Sequence, residues 1–518
     1  MKKRQVVIIG AGASGMTAAI MAARNGAAVT VLEQNEKPGK KICATGNGKC
    51  NFSNLAMPED AYRGRHPEFV KDAFERFSVK DTVEFFKELG IFPLDRNGYL
   101  YPRSNQAQRV VDVLCMEASH LGVKIKTNEQ VTAIEPARNG NNFQILTKGW
   151  HYEADALILA NGSKASSISG SDGSGYELAK SLGHHIIPVY PALTALKCKG
   201  NSYKGWAGVR TEGRISLLVD NELCSCQQGE LQLTEYGISG IPVFQLSRYA
   251  ICAVKTGKKA VLKINFLPEC TVDEVKELLH QRKKDCPYKN EKELLTGLFP
   301  EKLINVLTSQ KNLISAITEY TLEVTDGLSF SQAQVCSGGV DTSEIVNETL
   351  ESRFCPNVYI VGELLDIDGT CGGYNLQWAW SSGAAAGIHA AKPAEPAERC
   401  GQRCACQDRR GFAAVDPALC AGAAVCGALR TGAVGVPPAG GRAALVQRRA
   451  AAGQRQPPAG SGAGPGQRRG GLLAAGAGAV VFGGRYRGQA LLAERLHTQS
   501  KRGLRHFRQH QPLCLMGM

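Results

Sequence analysis

Val6-Val7-Ile8-Ile9-Gly10-Ala11-Gly12-Ala13-Ser14-Gly15, with Glu33 at the end of the next apolar run, reads as strand, glycine turn, helix, strand, acid. Four consecutive apolar residues predict a parallel strand buried on both faces. Gly10 permits the tight turn, Gly12 removes the side chain that would keep a pyrophosphate from the backbone, and Gly15 lets helix and strand pack closely. The helix that starts there offers free N–H groups and a positive dipole end to phosphates. Residues 27–32 predict the second strand, and Glu33 stands where a carboxylate accepts hydrogen bonds from a ribose diol. The fold expected is α/β, with a Rossmann-type dinucleotide-binding sheet.

Composition narrows the class. The chain has 518 residues, 43% of them hydrophobic, which is enough for several domains with sizeable cores. No run reaches the roughly 18 consecutive apolar residues of a membrane span, so a cytoplasmic protein with no membrane partner is expected. The formal net charge of +14 is unevenly placed: residues 1–390 hold 42 basic and 42 acidic side chains, and the excess lies beyond them. A neutral body argues against a nucleic-acid partner. Twelve of the 18 cysteines fall in the body at irregular spacings without a zinc pattern, so no metal is expected.

Past Glu33, residues 40–54 (KKICATGNGKCNFSN) predict a ligand-facing loop rather than a core element, because lysine, glycine and asparagine dominate it. Residues 66–90 predict two amphipathic helices, 98–105 a turn or short hairpin, and 107–121 a helix. Strands are expected over 123–127, 131–134, 143–146, 150–153 and 154–159, the last running into Ala160-Asn161-Gly162. Residues 188–266 alternate strand-like runs with Gly and Pro turns and predict an inserted β-rich domain. Residues 267–324 read as a small helical domain able to roof a substrate pocket. Residues 325–390 return to the first fold, with a turn at 337–340, a strand over 357–361 and a second glycine pair, Gly372-Gly373, opening a helix to about 390. The dinucleotide-binding domain is thus expected in two parts, 1–187 and 325–390. Residues 391–518 are rich in Arg, Ala and Gly, with 17 Arg against 2 Lys, and predict no fold: either a disordered basic arm or translation out of frame.

Residues 40–54, Gly237-Ile238-Ser239-Gly240 and the segment 362–387 (GELLDIDGTCGGYNLQWA…) resemble the YhiN/BaiN-like flavoproteins over 1–390. The resemblance implies an FAD-dependent oxidoreductase with a split flavin domain. It places Gly10, Gly12, Ala13, Ser14, Gly15, Glu33 and Gln34 at the pyrophosphate and ribose. Lys40, Lys41, Thr45, Gly46 and Asn47 would line the cofactor, and the Val131 backbone would meet the adenine. Ala160, Gly162, Gly362, Glu363, Asp366, Gly373, Asn375 and Leu376 complete the cofactor set, the glycine-rich ones at the ribityl chain and flavin. The chain departs from the family pattern at Asn161, at Ile241 within Gly240-Ile241-Pro242, and at Val335-Cys336-Ser337.

The expected activity is NAD(P)H-driven reduction of a C=C bond in an enone such as a 3-oxo bile acid or steroid. The resemblance equally admits an amine oxidase that forms peroxide, and the basic tail raises an RNA-binding or RNA-modifying flavoprotein. Gly170-x-x-Gly173-x-Gly175 has the wrong spacing for a second dinucleotide site, so a nicotinamide would dock over the flavin without a Rossmann unit of its own. Tyr101, Tyr236 and Tyr374 are candidate proton donors, and no catalytic residue is assigned.

Overall fold

The computed structural model describes residues 3–136, 142–166 and 169–393. The tail, 394–518, with the expectations attached to it, lies outside the described residues. Gln5–Ile9 forms the centre of a five-stranded, all-parallel sheet. Ala28–Leu32 and then Lys124–Lys126 lie on one side of it; Ala156–Leu159 and then Val358–Ile360 lie on the other. Val7 stands between Thr30 and Leu157. The apolar runs are continuous because the sheet is covered by helices and by a three-stranded antiparallel sheet, Val131–Pro136, Phe143–Thr147 and His151–Ala154, and Val6, Ile8, Leu157 and Ile158 are wholly buried. Strand order reverses at Gln5–Ile9, so a crevice opens past its C-terminal end. The outermost strand, Val358–Ile360, arrives some two hundred residues after its neighbour, so the sheet is split in sequence.

Two helices meet over that crevice. Ala13–Arg24 crosses back from the first strand to the second, and Tyr374–Ala390 packs along it. Contact is close because Gly383 and Gly387 carry no Cβ: one added there would come within 2.3 Å of the Ser14 carbonyl oxygen and 2.4 Å of the Ala18 carbonyl oxygen. No side chain caps either helix, so both leave backbone N–H groups free at their first turn.

A second body interrupts this one. Leu196–Cys198, Arg210–Val219, Glu222–Leu233, Gly237–Ser239, Ala260–Asn265 and Tyr320–Gly327 close into a six-stranded antiparallel barrel. Ala260–Asn265 alternates buried and half-buried positions, the period of a strand with one face inward. Trp206, Ile215, Leu217 and Leu262 fill the core, joined by Val275, Leu295, Leu303 and Ile317 from the helices 272–318. Capping boxes at Thr271 and Asn290 start two of those helices.

The structure corrects four sequence expectations. The β-rich stretch holds a 15-residue helix, Ile241–Lys255, whose buried Val243, Leu246, Ala250 and Ile251 face the barrel core. Val335–Val340 is not a turn but a strand paired with Ile186–Ala192, because Cys336 and Ser337 are drawn into the ladder. Residues 40–54 are not all loop: Lys40–Ala44 is a short helix, followed by a turn in which Gly46 and Asn47 take φ of 55° and 53°. The helices between 267 and 320 do not roof the main cavity: their apolar faces complete the barrel core, and none of their residues lines that cavity.

Candidate active site

A cavity of about 920 Å³ opens past the C-terminal end of the central strand. Its first half is the glycine turn, where each glycine has a different reason. Gly10 takes φ +104° and its missing Cβ would stand 2.5 Å from the Ala160 carbonyl oxygen. A Cβ at Gly15 would collide with the Gly10 carbonyl oxygen at 1.9 Å. A Cβ at Gly12 would meet nothing within 4 Å, because Gly12 faces the cavity itself. Gly12 therefore keeps open the volume a phosphate needs beside the uncapped helix end.

Glu33 is buried at the end of the second strand. Its Oε2 accepts from the Ala11 N–H at 2.8 Å, and its Oε1 accepts from the Asn35 N–H and Nδ2 at 2.8 and 2.6 Å. A carboxylate offers about four acceptor positions, so one remains for a ribose hydroxyl.

The far half of the cavity is built by three distant segments. Lys41 Nζ pairs with Glu363 Oε2 at 2.5 Å, and Ser163 Oγ donates to the same oxygen at 2.8 Å. Behind this pair lies Cys336, its thiol pushed up to about 11 by burial. Gly373, at φ +93°, turns the chain into Tyr374–Ala390 and brings that helix end to the cavity wall. Asn375 lines the wall, but its amide is tied to Gly369: Oδ1 accepts the N–H at 2.7 Å and Nδ2 donates to the carbonyl at 2.9 Å.

Of the residues singled out from sequence, Gly10, Gly12, Ala13, Ser14, Glu33, Gln34, Lys40, Lys41, Thr45, Gly46, Asn47, Val131, Ala160, Gly162, Glu363, Gly373, Asn375 and Leu376 line this cavity. Three do not. Gly15 serves helix packing, and Gly362 sits behind the wall where a Cβ would meet Ser14 Oγ at 2.7 Å. Asp366 turns inward and accepts from the Gly338 and Arg65 N–H groups at 3.1 and 3.0 Å, which anchors the loop below the site. Among the proposed donors, Tyr101 lines the cavity, whereas Tyr236 and Tyr374 do not. The lining residues not picked out from sequence include Tyr99, Leu193, Phe244, Gln245, Gln334 and Cys371. Pro242 directly after Gly240-Ile241 is a helix-start signal that would have placed Phe244 and Gln245 on a helix facing the site.

The site fits FAD on its own evidence. Asn51 Oδ1 and Asn161 Oδ1 are buried acceptors without a protein donor, both on residues that line the cavity. A buried amide oxygen left unpaired is costly, and hydroxyl or ring N–H donors of a bound flavin nucleotide would satisfy both. Two helix ends would meet the pyrophosphate and the developing charge on the flavin ring.

The family described as "HI0933-like protein Rossmann domain" matches residues 4–389. The 3-dehydro-bile acid delta(4,6)-reductase of Clostridium scindens is 45% identical over 407 residues, 75% of this chain and 99% of that protein. The ribosomal RNA dihydrouridine synthase of Haemophilus influenzae is 31% identical, covering 73% of this chain and 96% of that protein. A solved 3-ketosteroid-delta4-(5alpha)-dehydrogenase from Rhodococcus jostii RHA1 is 16% identical with a TM-score of 0.40, covering 75% of this chain and 97% of that one.

Proposed function

The chain belongs to the HI0933-like Rossmann-domain family and is an FAD-dependent oxidoreductase, and from that premise we propose that it is an NAD(P)H-driven reductase of carbon–carbon double bonds conjugated to a carbonyl, with 3-oxo bile acids or steroids as its substrate class. One observation carries the reading beyond the cofactor. The cavity does not end at the nucleotide cradle but extends to Tyr99, Ile241 and a cluster in which Phe244 and Cys371 pack against Leu193. Apolar groups interspersed with polar side chains such as Gln245 and Gln334 suit a substrate that is mostly hydrocarbon and carries polar substituents.

Bound FAD supplies a two-electron hydride carrier between nicotinamide and substrate. The chain's own residues hold and shield it. Gly12, Ala13 and Ser14 would present backbone N–H groups to its phosphates, the Gly10 N–H being taken by the Leu32 carbonyl, and Glu33 would take a ribose hydroxyl. The Lys41–Glu363–Ser163 cluster lines the middle of the cavity. The end of Tyr374–Ala390 places positive potential where reduction puts negative charge. Ser171 and Ser174, the latter opening the helix Ser174–Ser181, line the same cavity, and among the described residues there is one parallel sheet.

A second reading rests on the hairpin Pro93–Arg96/Tyr99–Pro102. Phe92 is 73% exposed beside it, Arg96 lies 5.2 Å over the Tyr101 ring, and Tyr99 and Tyr101 reach the cavity. Aromatic faces with an interleaved cation form a stacking platform for nucleobases, and uracil carries the same conjugated C=C–C=O group as a 3-oxo-Δ4 steroid. The test incubates the holoenzyme anaerobically with NADH or NADPH and either a 3-oxo-Δ4,6 steroid or a uridine-containing RNA. A gain of two hydrogens in the steroid supports the first reading, a gain in uridine the second, and no gain in either contradicts both.

A further inference from the structure

Gln245 is locked in one orientation by two groups that can only donate. Arg63 Nη2 lies 3.0 Å from its Oε1, and the Cys371 N–H points to the same atom at 3.2 Å. An amide oxygen and nitrogen exchange places easily, but an atom receiving two donors must be the oxygen. Arg63 is itself buried and held, its Nη1 donating to the Gln245 backbone carbonyl at 2.9 Å. The helix that carries Gln245 is pinned one turn further on by the Arg248–Asp368 ion pair, and Asp368 is the ladder partner of Arg63. Every rotation that would carry the amide away from the cavity is therefore opposed. What remains is the Gln245 Nε2 group, which has no acceptor among the described residues, on a side chain that lines the cavity between Phe244 and Cys371.

Resting on the reductase reading above, the geometry points to Gln245 Nε2 as the donor that binds and polarises the substrate carbonyl. Arg63 is the positioning residue that holds it. Hydride addition at the β-carbon of an enone forms a C–H bond and moves the π electrons onto the carbonyl oxygen as an enolate. A proton from solvent then adds at the α-carbon and restores C=O, and the two electrons come from NAD(P)H. A donor already aimed at the oxygen, with no freedom to turn away, stabilises the charge as it forms and costs no reorganisation. The substrate class that follows is a cyclic enone whose carbonyl lies at the Gln245–Cys371 end of the cavity. A hydrocarbon or an amine does not satisfy it.

Gln245→Glu separates this role from a structural one. Glutamate still accepts from Arg63 and the Cys371 N–H, so a mere strut survives the change, but the donor is gone. Gln245→Leu removes both. In holoenzyme with normal FAD content, kcat/KM for a 3-oxo-Δ4,6 steroid falls about 100- to 1,000-fold in Gln245→Glu. Titration of the oxidised holoenzyme with a 3-oxo-Δ4 steroid, read from the visible flavin spectrum, weakens at least tenfold in Gln245→Glu and Gln245→Leu; titration with the 3-deoxy analogue does not. Equal binding of the oxo ligand by wild type and both variants overturns the inference, as does a wild type that binds neither ligand. Gln245-dependent binding without reduction by NADH or NADPH leaves the inference standing and overturns the reductase reading.

Discussion

Gly387 lies over the backbone of Ala18: a Cβ there would stand 2.4 Å from the Ala18 carbonyl oxygen. Gly383 stands in the same way over Ser14, one turn nearer the cavity. These contacts set two helices side by side so that both uncapped ends face one ligand. Gly387→Ala is expected to destabilise the protein by about 1–3 kcal/mol, because a backbone oxygen cannot move aside as a side chain can. Urea unfolding checks it. FAD affinity falls with it, since the helix ends move together.

Gly12 and Gly15 belong to one motif but predict opposite outcomes. Gly12 has φ −80° and open space before it, so Gly12→Ala leaves apoprotein unfolding within about 0.5 kcal/mol of wild type. Its methyl group fills the phosphate volume, and FAD affinity drops. Gly15→Ala puts a methyl 1.9 Å from the Gly10 carbonyl oxygen and impairs the fold itself. Apoprotein denaturation and FAD titration, measured separately, tell the two apart.

The Lys41–Glu363 pair joins segments far apart in sequence, and both side chains are less than a third exposed. Removing one partner strands the other charge, so Glu363→Gln or Lys41→Met is expected to cost about 1–3 kcal/mol each. The double variant costs less than the sum, because neither charge is then left alone. A double-mutant cycle in denaturant measures the coupling.

His184 is buried between two partners. Its Nδ1 lies 3.0 Å from Glu344 Oε2 and its Nε2 lies 2.8 Å from Ser352 Oγ. The serine oxygen also accepts from the Phe354 and Cys355 N–H groups, so its own proton goes to Nε2. Burial lowers the His184 pKa, more than the Glu344 carboxylate raises it, and the neighbouring His185 lowers it further. The unfolded chain therefore binds a proton more readily than the folded one. Stability from this group is present above the ordinary histidine value of about 6.5 and is lost as pH falls below it. Between pH 7.5 and 5.5 the melting temperature is expected to fall more in wild type than in His184→Asn.

The nucleotide half of the site was legible because its chemistry is local: strand, glycine turn, helix end and acid follow one another in 28 residues from Val6 to Glu33. The substrate half was not. Leu193, Gln245 and Cys371 come from three separated segments, and only the docking of Ile241–Lys255 onto the Arg63–Asp368 ladder brings them together. The Gly and Pro residues around that helix resemble β-turn punctuation and hid its period. Asp366, which the resemblance places in the cofactor set, is buried and accepts from the Gly338 and Arg65 N–H groups, partners that its sequence neighbours do not reveal. The Gly383 and Gly387 pair was readable as spacing, but its partner carbonyls were not.

The most direct test of the central claim is an anaerobic visible spectrum of the purified protein before and after NADH and then NADPH, followed by a 3-oxo-Δ4,6 steroid. A flavin band that bleaches with one nicotinamide and returns on adding the steroid, with two hydrogens gained by the steroid, is the predicted result. A flavin that neither nicotinamide reduces but an amine does, or a protein that cannot be reconstituted with FAD, contradicts it.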